Sequence, residues 1–220
     1  MRILNFHGIG TPERNLEPGE ERYWISSAEF TAILDRIAAH PDRHDIRITF
    51  DDGNTSDLSI AVPELRKRGL KARFFILAGR LGQAGSLNAH DVRDLIREQM
   101  DIGSHGVAHT DWTRLSPKAL GEELRTSMAA LTEIASLRVR SAAIPFGRYN
   151  ASVVRALRET GYISAFSSDG GAAGSTDFPM PRTSIVAGMT DAAVSNILSG
   201  RLTASRRLRR WAGMAVKSLV

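Results

Sequence analysis

Ile46-Arg47-Ile48-Thr49-Phe50-Asp51-Asp52-Gly53 is the stretch on which the reading of this chain turns. Five residues rich in β-branched and aromatic side chains run straight into two carboxylates and a glycine, which reads as a strand ending in a polar turn. Adjacent carboxylates repel unless a cation or a proton separates them. Alone, the same tripeptide serves equally well as a helix cap plus a turn. Upstream, residues 3–6 read as a strand ended by His7-Gly8-Ile9-Gly10, then a polar loop over 11–22. Ser26 or Ser27 caps a helix over 28–39, whose Phe30, Ile33, Leu34 and Ile37 share one face. Downstream, a helix over 55–68 is disturbed in its first half by Pro63. Further strands are expected at 73–77, 102–104, 139–144, 163–166 and 183–186, and helices at 88–99, from 117, at 150–159 and at 191–198. Strand and helix alternate with short connections, the pattern of a parallel sheet covered by helices. About seven strands with no linker before residue 200 predict an α/β barrel-like closure in a single domain.

The chain has 220 residues and a net charge of +5. The excess is local. Residues 201–220 hold six cations and no acid, which leaves 23 cations against 24 acids over residues 1–200, a net −1. A near-neutral body lacks the broad cationic face that nucleic-acid binding needs, so no nucleic-acid partner is expected. With no cysteine, disulfide frameworks, thiol nucleophiles and Cys-ligated metals are excluded. No apolar run approaches the roughly 18–20 residues of a membrane span, and the first residues lack an export-type apolar stretch. The expectation is a cytoplasmic protein.

Two further polar clusters follow expected strands. Ser104-His105-Gly106-Val107-Ala108-His109 places two imidazoles four apart, on one face if the segment is helical, where both can reach one metal; a pair of surface histidines is the other reading. Ala143-Ile144-Pro145-Phe146-Gly147 offers backbone N–H groups and an aromatic wall, or a buried turn.

In this order and spacing, the three clusters resemble the polysaccharide deacetylase family, the carbohydrate esterases related to chitooligosaccharide deacetylases. Thr49 to Gly53 resembles the family's first motif, Ser104 to His109 its second, and Pro145 to Gly147 part of its third. The resemblance spans roughly residues 1–190. It implies a distorted (β/α) barrel of about seven parallel strands, and a metal triad of Asp52, His105 and His109 holding one divalent ion, zinc first, with manganese, cobalt and nickel as alternatives. It also implies Asp51 as general base and Pro145, Phe146 and Gly147 at the substrate and oxyanion side. Most members carry a general-acid His in a late Leu-x-x-His strand, where this chain reads Asn196-Ile197-Leu198-Ser199-Gly200. Asn5-Phe6-His7 instead resembles the circularly permuted subgroup, with His7 as the acid. Many members also carry an Arg two residues before the third-motif Pro. Ala143 stands there, and Arg182 is the candidate replacement, a solvated Arg being the alternative.

The expected activity is hydrolysis of an N-acyl, first of all N-acetyl, amide of an amino sugar in a polysaccharide, an oligosaccharide or a lipid-linked precursor. The alternatives are a deformylase of a lipid-linked sugar, a sugar-binding homologue of weak activity, and a metallophosphoesterase, for which clustered extra ligands are too few. Residues 201–220 form a separate basic amphipathic tail, with Leu208, Trp211, Ala215 and Leu219 at helical spacing, which either packs on the barrel or makes peripheral contact with an anionic membrane.

Overall fold

The computed structural model describes residues 1–200, so the expectations for the tail lie outside the described residues. Strands β1 (Arg2–Phe6), β2 (Ile46–Phe50), β3 (Ala72–Ile76), β4 (Asp101–Ser104), β5 (Ser141–Ala143) and β6 (Ser164–Ser167) lie side by side, every pair parallel. Helices α1 (Ser27–Ala38), α2 (Val62–Lys67), α3 (Ala89–Arg97), α4 (Pro117–Ala135) and α5 (Ala151–Thr160) form crossovers, and α6 (Asp191–Leu198) follows the last strand. Short segments β7 (Met180–Pro181) and β8 (Thr183–Ser184) are separated by Arg182 alone. β7 pairs with β6 and β8 with β1, so one stretch of chain joins the two edges of the eight-segment sheet into a nearly closed distorted barrel. The strand expected at 183–186 is therefore shortened and shifted: the chain before Arg182 follows β6, with the Arg182 N–H donating to Ser167, and the chain after it follows β1, with the Ile185 N–H donating to Asn5.

Alternation along the strands divides the core in two. Leu4, Phe6, Ile48, Phe50, Phe74 and Ile76 face outward beneath the helices and meet Phe30, Ile33, Leu34 and Ile37 of α1. Phe50 stacks on Phe74 at 4.6 Å, and Phe30 meets Phe6 edge-on at 5.2 Å. Inside, Ile3, Phe75, Ala143 and Phe166 make a small apolar plug. Burying a large apolar side chain contributes roughly 1.5–3 kcal/mol, so the outer layer of β1–β3 and α1 dominates the stability.

Helix starts follow the sequence signals. Ser26 and Glu29 form a reciprocal cap on α1, Asn88 and Asp91 on α3, and Ser116 caps α4 ahead of Pro117. The helix expected at 55–68 is not uniform. Asp57–Ala61 form a wider π-type turn before α2, since Pro63 has no N–H and its ring crowds the carbonyl four residues back. The strand expected at 139–144 shortens to Ser141–Ala143, because the Val139 N–H is taken by Thr132 Oγ1.

Candidate active site

A cleft of about 290 Å³ opens at the C-terminal end of the barrel strands, where loops of a parallel barrel converge. His7 enters it after β1, Asp51 and Asp52 after β2, His105 and His109 after β4, and Phe146 after β5. Neighbouring residues of a continuing strand face opposite ways. Asp52 has φ +80°, a left-handed conformation that few non-glycine residues adopt, and this turn lets both carboxylates line one cleft.

His105 and His109 lie on the bend after β4 and not on a helix, yet their ring centroids are 5.5 Å apart. His105 Nδ1 donates to the Ala143 carbonyl at 2.9 Å, and His109 Nδ1 faces Glu17 Oε2 at 2.7 Å. Both rings then turn Nε2 toward Asp52 Oδ1, at 3.5 Å and 3.9 Å. One ligand atom from each residue falls within 4.8 Å of the others. Asp52 Oδ1 is buried with no hydrogen-bond partner among the described residues. An orphaned carboxylate oxygen between two imidazole lone pairs is the donor set of a divalent cation site, so these residues fit one. Burial pushes the His105 pKa down, favouring the neutral ring that ligates metal. Burial pushes Asp52 up, but His7, His105 and His109 more than offset it and the carboxyl sits below its ordinary value.

Asp51 meets Arg182. Arg182 is fully buried (0 % exposed), and its guanidinium donates to Asp51 Oδ1 at 2.7 Å and Oδ2 at 2.8 Å. Arg182 also donates to Asn5 Oδ1, Thr49 Oγ1 and the Ser167 carbonyl, and lies over the Phe75 ring at 5.2 Å. Asn5 Nδ2 gives Asp51 Oδ2 a further hydrogen bond. Desolvation would raise the Asp51 pKa, but Arg182, with His105 and His7, outweighs it and holds the carboxyl well below the usual range. Arg182 thus reaches Asp51 from the barrel seam, while Ala143 belongs to the apolar plug.

His7 lines the cleft with its ring 4.7 Å from that of Tyr23 and its Nδ1 buried with no hydrogen-bond partner among the described residues. Phe146 (φ +57°) is half exposed and packs on His109 at 4.3 Å; Pro145 and Gly147 are buried beneath it. Three residues at the site carry no motif signal. Glu17 and Tyr23 come from the loop after β1. Asp57 is buried on the π-type turn, and burial, with Asp52 and Asp51 nearby, pushes its pKa well above the ordinary value. Only the polar bias of residues 11–22 hinted at Glu17.

The sequence model of the family described as polysaccharide deacetylase matches residues 38–165, more than half of the chain. The chain belongs to the polysaccharide deacetylase family. YxkH of Bacillus subtilis (strain 168), named for the same family, is 27% identical over 206 residues, 88% of this chain and 74% of YxkH. Among solved structures, the Streptococcus pyogenes deacetylase PplD in complex with acetate superposes with a TM-score of 0.76 at 20% identity, over 92% of this chain and 98% of that one. IcaB from Ammonifex degensii gives 0.70 at 20%, over 90% and 95%. At these identities the structural likeness speaks for the fold. Among the described residues, no helix is long and apolar enough to cross a membrane.

Proposed function

We propose that this protein is a metal-dependent deacetylase that hydrolyses the N-acyl amide, first of all N-acetyl, of an amino sugar in a polysaccharide, an oligosaccharide or a lipid-linked precursor. The observation that carries this reading is the buried, unpartnered Asp52 Oδ1 between two imidazole Nε2 atoms, beside the Asp51–Arg182 pair. Zinc, or another divalent ion held by Asp52, His105 and His109, supplies Lewis acidity to water and to the acyl carbonyl. Arg182 favours the ionised form of Asp51 by holding its carboxyl well below the usual carboxylate range. Among the described residues Asp51 Oδ1 accepts one hydrogen bond, from Arg182, which leaves a lone pair for a proton from the attacking water. Arg182 and Asn5 fix that carboxylate in place. The Phe146 N–H serves the tetrahedral oxyanion. As the C–N bond breaks, His7 gives a proton to the departing amine, leaving a free amino sugar and a carboxylate. The Phe146 and Tyr23 rings offer apolar faces to the sugar.

The test is metal content together with product release. Wild-type protein is expected to hold about one zinc per chain and to release acetate from N-acetylated amino sugars. Asp52→Ala and His105→Ala lose the metal, and Asp51→Asn keeps it without turnover. Unchanged metal content in both ligand variants overturns the site. Release of formate alone, from N-formyl sugars, reassigns the acyl group.

A further inference from the structure

Glu17 lies in none of the motifs, on the loop between β1 and α1. Its Oε2 accepts from His109 Nδ1 at 2.7 Å, and its Oε1 is paired with Arg80. Arg80 ends the 3₁₀ turn Ala78–Arg80 after β3. That turn is itself fastened to the histidine loop, with Ala78 N–H donating to Gly106 and Gly79 N–H to Val107. Glu17 therefore sits between the imidazole it orients and a cation anchored to the same loop. Its neighbours Pro18, Gly19 and Glu20, with Tyr23, line the cleft.

The loop has anchors that do not involve Glu17. Arg14 pairs with Glu20 and donates to Asn54 Oδ1, Glu13 accepts from Thr55, and the chain at Gly8–Gly10 is hydrogen-bonded to Ile25. A protein lacking the Glu17 carboxylate keeps these, so it retains its fold.

We propose that Glu17 is a positioning residue of the metal centre and that, through it, the loop over residues 11–24 is coupled to metal occupancy. This rests on the functional reading above. A carboxylate on Nδ1 fixes the tautomer that leaves Nε2 free, holds the ring plane and makes the imidazole a better donor. The coupling runs both ways, because a ligand that tightens the His109–Glu17 bond also tightens the segment carrying Glu17. The metal then shapes one wall of the substrate cleft as well as activating water.

The experiment uses the full chain, with zinc as the probe. Zinc affinity is measured by competition with a chromophoric chelator, and amide exchange over residues 11–24 is followed with and without zinc. Outer-sphere partners of this kind typically contribute about 10–100-fold in affinity, so Glu17→Ala is expected to bind zinc at least tenfold more weakly. Glu17→Gln, which keeps an acceptor and loses the charge, falls between Glu17→Ala and wild type. Glu21→Ala, exposed on the same loop and away from His109, binds zinc as wild type does. Zinc slows exchange over 11–24 in wild type and not in Glu17→Ala. Wild-type affinity in Glu17→Ala, or exchange that zinc leaves unchanged in wild type, overturns the role of Glu17 while leaving the metal site standing. A wild-type protein that binds no zinc overturns the functional reading and this proposal with it.

Discussion

Replacing Arg182 with Met keeps an unbranched apolar stem against Phe75 and Phe166 and removes the guanidinium from Asp51. Both partners are buried and the contact is two-pronged, at 2.7 and 2.8 Å. An exposed pair would be worth about 0–1 kcal/mol. Here the variant leaves a buried carboxylate with Asn5 as its remaining side-chain donor, a change that typically costs about 3–5 kcal/mol. The pH dependence fixes the cause. In wild type the folded pKa of Asp51 lies below the unfolded one, so the pair stabilises fully above the unfolded pKa near 3.9 and is lost as pH falls through the folded value. In the variant burial is opposed only by Asn5, His105 and His7, so the folded pKa rises from its wild-type position. The penalty is therefore largest at neutral pH and shrinks as the medium becomes acid enough to protonate Asp51. Urea unfolding of wild type and Arg182→Met at pH 7 and pH 4 measures this. The acid limb of the kcat/KM profile should move to higher pH in the same variant. A loss below about 1 kcal/mol at pH 7, or one independent of pH, would refute the argument that Arg182 neutralises a buried Asp51.

Two further outcomes follow from the same geometry. His7→Gln should keep zinc at the wild-type ratio while kcat falls by about two to four orders of magnitude, the usual range for a lost general acid; metal analysis alongside kcat separates the roles, and full turnover would end the assignment of His7. Gly8→Ala should lower stability by about 1–3 kcal/mol, because a Cβ at Gly8 would enter the Trp24 ring, and a thermal melt within error of wild type would show that the loop has room to move.

Much of this architecture could be read from residues alone, for identifiable reasons. β1 to β3 announce themselves because each is a largely apolar run ended by a polar or glycine-containing turn, and the adjacent carboxylates mark the end of β2. The histidine pair is legible by spacing, although the segment is a bend and not a helix: backbone turning after β4 brings the rings together as a helix would. That Arg182 reaches Asp51 across 131 positions of chain depends on barrel closure, which no local pattern encodes. Glu17 is hidden for a related reason. A glutamate in a polar loop looks solvated, and only the return of that loop over the cleft gives it His109 as a partner. The π-type turn was half visible, since Pro63 signals disruption without saying how the backbone absorbs it. Ala143 sends a misleading signal, because a missing cation in one motif reads as a defect until the charge arrives from another strand.

The join between β7 and β8 has a consequence for how this protein tolerates change. On either side of residue 182 the main chain pairs with the two edges of the sheet, and the side chain of residue 182 neutralises the carboxylate at the reactive end. Mechanical integrity and reactivity therefore share one point of failure. Insertions or register slips near residue 182 damage both together, whereas the exposed faces of the covering helices touch neither. Sequence divergence among functional descendants of this chain should accordingly gather on those exposed faces and spare the few residues around the closure.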